Sequence, residues 1–157
     1  MRIVTAIVLL SLLACGGEEP IVRRGAGPGA GQQAAIAAAE RTGVVHEVQM
    51  LGSIEDGFRF DPADLTVKVG DTVRWINGSG FPHNVAFYAD SIPRGAVAVI
   101  ESVMPAEGKL GLMNGRILSE LGDTFEMDFV NAPLGVYHYF SVVQEVLGMV
   151  GTVTVTQ

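Results

Sequence analysis

The stretch that decides the fold is residues 135–156, which read GVYHYFSVVQEVLGMVGTVTVT. In its first part Tyr137, Tyr139 and Ser141 alternate with His138 and Phe140, and its last part alternates valine with threonine. A period of two is typical of a half-buried β-strand, because successive side chains point to opposite faces. The stretch therefore predicts two strands joined by a loop.

Earlier segments of the chain repeat this pattern. Residues 65–75 alternate aliphatic and polar side chains on both sides of a Gly-Asp turn, and residues 125–129 alternate large apolar and acidic side chains. Short strands separated by Gly, Pro, Asp and Asn predict an all-β, antiparallel β-sandwich from Val44 onward. Residues 97–121 are ambiguous, and a helical turn is predicted there over residues 114–121.

The whole chain sets the broad class of protein. Its 157 residues suffice for one domain and a tail, and 48% of them are hydrophobic, so one sizeable core is expected. The formal net charge of −7 and the isoelectric point near 4.8 argue against nucleic-acid binding, which normally uses a basic face. We expect a monomer with no nucleic-acid partner.

The first residues predict export from the cytoplasm. Arg2 supplies a positive charge, and an apolar run of about eleven residues follows from Ile3 to Leu13. This run is too short to cross the roughly 30 Å hydrocarbon core of a bilayer as a helix, which takes about 20 residues. Residues 1–14 are therefore predicted to be a signal peptide.

The sequence Leu12-Leu13-Ala14-Cys15 at the end of this run resembles the lipobox of bacterial lipoproteins. The resemblance implies cleavage before Cys15 and diacylation of its thiol, which gives the two or more acyl chains that stable attachment to a lipid bilayer needs. The protein would then face the periplasm or the exterior. Because Gly16 rather than Asp follows the cysteine, the best-known sorting rule favours the outer membrane. The alternative is an ordinary secretory signal with a chance cysteine.

A tether is predicted between this cysteine and the folded domain. Residues 15–43 are rich in Gly and Ala, contain Pro20 and Pro28, and have no period that could bury one face. Such a composition is typical of a flexible linker. Cys15 is the only cysteine of the chain, so a lipidated mature protein has no free thiol and no disulfide.

Two motifs narrow the class of sandwich. Residues 81–87 read FPHNVAF, and GVYHYFS at residues 135–141 precedes GMVG at residues 148–151. Together they resemble the plastocyanin family, and the resemblance extends over residues 44–157. It implies a cupredoxin-like Greek-key β-sandwich with a copper site at one end, and a family role in copper binding and one-electron transfer. The chain is accordingly not expected to be an enzyme.

The resemblance also implies a set of ligands. In the family one histidine comes from the Pro-His-Asn loop, and the last loop supplies three ligands with the spacing Cys-x2-His-x4-Met. His83 matches the first ligand and Met149 the axial methionine, but Ser141 stands at the cysteine position and Gln144 at the second histidine. Asn84 matches the asparagine that ties the two loops together, and we expect it to pair with Ser141 in a closed polar cluster.

The two substituted positions weaken the case for copper. A type 1 copper centre uses two imidazoles, a thiolate and a weak axial donor, and a serine hydroxyl or a glutamine amide is a poor substitute. Three other side chains are possible donors, namely Glu145, His46 and His138. The alternation along its strand predicts that His138 points away from the ligand positions. His46 is expected to face solvent.

Three functions remain open from the sequence. The first is the family role of electron transfer to an envelope redox partner or another protein, and the second is a copper-free, anchored interaction or structural module. The third is a weak, non-blue copper scavenger that uses His83, Met149 and Glu145. Hydrolysis through Ser141 is not expected, because no acid partner and no oxyanion hole accompany it.

Overall fold

The computed structural model describes residues 43–157, so the predicted signal peptide, Cys15 and the tether up to residue 42 lie outside the described residues. No helix in this described part is long and apolar enough to cross a membrane. The elements are β1 (Val45–Ser53), β2 (Gly57–Asp61), β3 (Asp64–Lys68), β4 (Thr72–Asn77), β5 (Ala86–Phe87), α1 (Ala96–Val103), β6 (Thr124–Asp128), β7 (Gly135–Phe140), a 3₁₀ turn (Glu145–Leu147) and β8 (Val150–Thr156).

The strands form two four-stranded sheets, with the orders β2-β1-β4-β6 and β3-β8-β7-β5. This confirms the predicted all-β sandwich. Most neighbouring strands are antiparallel as predicted, but β1 lies parallel to β4 and β3 lies parallel to β8. Parallel partners cannot be joined by a tight hairpin, so the chain crosses between the sheets before it returns to each of these pairs.

The core lies between the two sheets and follows the alternation of the strands. In β7 Tyr137 and Tyr139 are buried while His138 is exposed, as the sequence predicts. Trp75 of β4 packs against Phe125 and Tyr139, with ring-centroid distances of 6.0 and 5.5 Å. Complete burial of one such large side chain stabilises a fold by about 1.5–3 kcal/mol. The core thereby fixes the strand ends from which the loops emerge.

The segment that is ambiguous in the sequence contains the helix α1, and the predicted helical turn over residues 114–121 is wrong. Asn114 instead forms β-bridges to Ala86 and Gly111, and Leu118 bridges to His83. A helix would have used the same backbone groups for its own hydrogen bonds. These bridges attach the segment to the loop that carries His83.

At one end of the sandwich Asp71 forms hydrogen bonds at the start of β1 and at the end of β3. Its carboxylate accepts the N–H groups of Val44 and Lys68 at 2.8 and 2.9 Å, and it lies 2.9 Å from Nε2 of His46. One carboxylate therefore joins two strands of different sheets.

Gly43 marks the place where the predicted tether meets the domain. A Cβ at this position would lie 2.0 Å from the carbonyl oxygen of Gly70, so only glycine fits against the turn there. Strand β1 runs from this end, which we call the tether end, to the opposite end. The opposite end, called the loop end, consists of residues 78–84 and 141–149.

Candidate metal centre

The connection from β7 to β8 positions three of the predicted site residues. The N–H of Ser141 donates to the carbonyl of Met149 at 3.1 Å, that of Gln144 to Ser141 at 3.0 Å, and that of Met149 to Gln144 at 3.2 Å. Gly148 reverses the chain with a φ of 83°, a conformation that glycine adopts without a steric cost. The side chains of the three residues are buried, and these backbone bonds hold the residues close together.

His83 enters the site from the other loop. Its backbone N–H donates to the carbonyl of Leu118 at 3.0 Å and its carbonyl accepts the N–H of Leu118 at 2.7 Å. The side chain is 0% exposed, and the ring lies edge-on to Phe58 at a centroid distance of 5.8 Å. A buried imidazole needs hydrogen-bond partners within the protein.

The side-chain amide of Gln144 lies at the centre of a hydrogen-bond network. Its Oε1 lies 3.0 Å from Nδ1 of His83 and accepts the hydroxyl of Ser141 at 2.7 Å. Its Nε2 donates to the carbonyl of Pro82 at 2.8 Å. The Oγ of Ser141 in turn accepts the N–H of Asn84 at 3.2 Å. Four of the predicted site residues are thus joined in one cluster.

These contacts determine where the proton lies on the His83 ring. Because Oε1 of Gln144 can only accept, Nδ1 carries the proton, and Nε2 accepts the hydroxyl of Ser79 at 2.7 Å. Burial lowers the pKa of His83, and the hydrogen bond to Gln144 raises it by a smaller amount. His83 is therefore a neutral imidazole whose two ring nitrogens both bond to the protein.

Asn84 ties the two loops together, as the family resemblance implies. Its Oδ1 accepts the N–H of Val142 at 2.8 Å, and its Nδ2 donates to Oδ1 of Asn114 at 2.6 Å. The expected pairing with Ser141 is present, but the backbone N–H of Asn84 makes it rather than the side chain. The amide is free to reach Asn114, a contact between residues 30 positions apart that no local pattern predicts.

The structure does not bring the other possible donors into this cluster. His138 is exposed on the outer face of β7, as predicted, and the exposed Glu145 accepts the hydroxyl of Tyr88 at 2.9 Å. The expectation that His46 faces solvent needs correction, since His46 is half-buried at the tether end beside the carboxylate of Asp71. Asp71 follows His46 by 25 positions, with β2 and β3 between them, so no local pattern in the sequence predicts this contact.

Ser79 is not among the predicted site residues, yet its hydroxyl lies 2.7 Å from Nε2 of His83. Ser79 lies in an Asn-Gly-Ser-Gly turn, where Oδ1 of Asn77 accepts the N–H groups of Ser79 and Gly80 at 3.1 and 2.9 Å. Asn-Gly is a strong turn signal. The turn brings the hydroxyl of Ser79, four residues before His83, within hydrogen-bond distance of the imidazole. That signal was available in the sequence.

The donors gathered at the loop end are one imidazole, one hydroxyl, one amide and the buried thioether of Met149. Within residues 43–157 there is no group of three or more His, Cys, Asp or Glu side chains that could hold a metal ion. Met149 also belongs to the hydrophobic core, where a flexible thioether packs well.

Known proteins resemble this chain in sequence and in structure. A profile of the copper binding proteins of the plastocyanin/azurin family matches residues 46–156. Plastocyanin of Scenedesmus fuscus is 35% identical over 105 residues, which cover 67% of this chain and 94% of the relative. Plastocyanin of Lactuca sativa is 32% identical over 106 residues, with coverages of 68% and 96%. Oxidized plastocyanin of Dryopteris crassirhizoma superposes with a TM-score of 0.54 at 25% identity, covering 71% of this chain and all of that one.

A two-sheet sandwich with a Pro-His-Asn loop beside a methionine-bearing last loop defines the class of the cupredoxins. The chain belongs to the plastocyanin/azurin family of copper binding proteins. Copper is the cofactor of this family, and its members carry electrons and are not enzymes. Family membership thus confirms the predicted fold and the prediction that the chain is not an enzyme.

Proposed function

We propose that this protein is a cell-envelope lipoprotein whose cupredoxin domain has no blue copper centre and serves as an anchored protein-binding module. The observation that carries the proposal is the state of His83, since both of its ring nitrogens are used in hydrogen bonds to Gln144 and Ser79. A metal ion would have to displace these partners to reach the one imidazole of the cluster.

The chemistry of the donor set supports the same conclusion. A blue copper centre depends on a thiolate, which forms the short Cu–S bond and stabilises the soft Cu(I) form. Ser141 offers a hard, neutral hydroxyl instead, and Gln144 offers an amide oxygen. The single cysteine of the chain, Cys15, is the predicted lipidation site. The residues present do not fit copper, so we derive no electron-transfer step for this chain.

The sequence before the domain supports anchoring in the envelope. The apolar run that ends in Leu-Leu-Ala-Cys at residues 12–15 is typical of a lipoprotein signal, and the diacylated cysteine would hold the protein on the outer membrane. The Gly- and Ala-rich composition of the predicted tether supports a spacer between the bilayer and the domain, since a flexible chain of about 28 residues has a root-mean-square span of roughly 30 Å.

Exposed aliphatic side chains at the loop end support a protein-binding role. Val142 and Val143 are 43% and 46% exposed, and Val146 and Leu147 in the 3₁₀ turn are 93% and 61% exposed. Together with Phe81 these four residues form what we call the loop surface. A cluster of exposed apolar groups on a small domain is typical of an interaction site.

Copper titration of the full chain with Cys15→Ser, in which no thiol remains, tests the proposal. We expect neither an intense visible band nor tight binding of Cu(II). Tight binding of Cu(II) with a reversible Cu(II)/Cu(I) couple would overturn the proposal in favour of the family role. Tight colourless binding that is lost in His83→Ala would support the weak copper scavenger instead.

Site-specific photocrosslinking tests the binding role in cells. A photoreactive residue at Val146 is expected to form an adduct with one envelope protein, whereas the same residue at Val136, exposed on β7 away from the loop end, is expected to form none. Equal adducts at both positions would contradict a defined surface.

A further inference from the structure

We propose that the side-chain amide of Gln144 has taken over the structural role that a metal ion plays between two ligand loops, and that it closes His83 to metals by selecting one tautomer. This inference rests on the proposed copper-free function and names the residue responsible for it. Gln144 is a positioning residue, because it acts through His83, Ser141 and Pro82.

Gln144 joins parts of the protein that lie far apart in the sequence. Its amide contacts His83 and Pro82 on the first loop and Ser141 at the end of β7, at distances of 2.7 to 3.0 Å. The partners His83 and Gln144 are 61 positions apart in sequence. A bound metal joins distant loops in the same manner, through several short contacts to one centre.

The partners of the Gln144 amide fix the direction of each of its hydrogen bonds. The carbonyl of Pro82 can only accept, so it must face the NH₂ group of Gln144, and this orients Oε1 toward Ser141 and His83. Both lone pairs of Oε1 are then used, one by each of these residues. Reversing the amide would place its oxygen against the carbonyl oxygen of Pro82, leaving two acceptors with no proton between them.

The orientation of the Gln144 amide determines which ring nitrogen of His83 carries the proton. A proton on Nδ1 leaves the ring with one lone pair, on Nε2, and the hydroxyl of Ser79 donates to it. Because Nδ1 bonds to Oε1 of Gln144 and Nε2 to the hydroxyl of Ser79, the geometry holds this neutral tautomer. The ring side that faces the last loop therefore presents an N–H group, which repels a cation instead of binding it.

The test compares Gln144→Ala and Gln144→Glu in the full chain with Cys15→Ser. The matched control is Gln49→Ala, which removes the same side chain from β1 outside the cluster. The ¹⁵N signals of the His83 ring report the tautomer. Hydrogen exchange of the Asn84 and Val142 amides reports the contact between the loops, because these amides bond to Ser141 and Asn84.

We expect the parent chain to show His83 protonated on Nδ1. Gln144→Ala should lose this tautomer preference and raise exchange of both amides by about tenfold or more, as expected for the loss of buried hydrogen bonds. Gln144→Glu keeps an acceptor oxygen toward His83 and Ser141 but replaces the donor to Pro82 by a second acceptor, so it should keep the tautomer and still raise exchange. Gln49→Ala should change neither measurement.

Two results would overturn the inference. The first is a His83 ring protonated on Nε2 in the parent chain, which can be measured even if Gln144→Ala fails to fold. The second is a folded Gln144→Ala chain with an unchanged tautomer and unchanged exchange. In either case the proposed function survives if the parent chain binds no Cu(II), whereas tight Cu(II) binding by the parent chain would contradict the proposed function itself.

Discussion

The two ends of the sandwich each hold a histidine, and they hold it in opposite ways. At the loop end His83 is fully buried and has only neutral partners, the amide of Gln144 and the hydroxyl of Ser79. At the tether end His46 is half-buried and faces the carboxylate of Asp71. Burying a charged group costs far more than burying a hydrogen-bonded neutral one. The imidazole at the loop end can therefore be fully buried without a charge, whereas the pair at the tether end contains a carboxylate and keeps its histidine partly exposed.

The tether end depends on the charge of a single carboxylate. Burial alone would raise the pKa of Asp71, but hydrogen bonds from Lys68, His46 and Val44 together outweigh burial and lower it. A carboxylate with a lowered pKa is stabilised in the folded state. The loop end has no counterpart to this charge, and its stability comes from the number of neutral hydrogen bonds.

The largest expected effect comes from giving the loop end back its family ligands. In the Cys15→Ser background, Ser141→Cys combined with Gln144→His is expected to give an intense visible band with Cu(II), because the spacing of the last loop is intact and a thiolate becomes available. The absorption spectrum measures it. Each single substitution leaves the ligand set incomplete and serves as a control. A folded double variant that stays colourless would show that the motif alignment of the last loop is wrong.

The next effect concerns the charge at the tether end. Asp71→Ala leaves the N–H groups of Val44 and Lys68 without their acceptor and is expected to lower the free energy of unfolding by about 3 kcal/mol, since hydrogen bonds to a charged group are the stronger kind. Urea denaturation measures the loss. Asp90→Ala, at an exposed position, is the control and should stay within about 0.5 kcal/mol of the parent. Equal losses in the two variants would remove the special role of Asp71.

A smaller loss is expected for the neutral network at the loop end. Asn84→Ala removes the acceptor of Val142 and the donor to Asn114, and it should cost about 2 kcal/mol in the free energy of unfolding. Asn84→Asp keeps the acceptor but buries a carboxylate whose second oxygen faces Oδ1 of Asn114, so at neutral pH it should cost at least as much as Asn84→Ala. If Asn84→Ala costs more than Asp71→Ala under the same conditions, the contrast between the two ends is reversed.

The smallest expected effect is the pH dependence that Asp71 contributes at the tether end. Because the folded pKa of Asp71 lies below its ordinary value of 3.8, the folded state binds fewer protons than the unfolded state as pH falls through that value. The stabilisation is fully present well above pH 3.8 and is lost as pH falls through the lowered folded pKa. Asp71→Asn should remove this dependence, so the stability difference between parent and variant should shrink on acidification. A difference that grows at low pH would contradict the assignment.

The sandwich could be predicted because its information is local. Alternation along β7 and β8 identifies strands and their buried faces without reference to other segments, and residues such as Tyr139 are buried where the pattern places them. The parallel pairing of β1 with β4 is not local. It depends on which strands meet after the chain has crossed between sheets, and no two-residue period contains that information.

The same distinction applies to the site. The family motif placed His83, Ser141 and Gln144 in one cluster, because the motif preserves the spacing of the loops. The partners of His46 and the contact of Asn84 with Asn114 escaped prediction, since each joins residues 25 or more positions apart with no motif to link them. The orientation of the Glu145 side chain could not be predicted either. Whether it points into the site or out to Tyr88 depends on the turn around it.

The close fit of Gly43 against Gly70 has a mechanical consequence. The chain enters the domain at a fixed point and continues directly into β1, which runs the length of the sandwich to the loop end. A pull between the proposed lipid anchor and the proposed partner on the loop surface would therefore act along β1. Its ladders to β2 and β4 would be loaded in shear, with many hydrogen bonds sharing the force, instead of being peeled apart one at a time. The fold would therefore resist a force along its long axis more strongly than a force that separates the strands one hydrogen bond at a time.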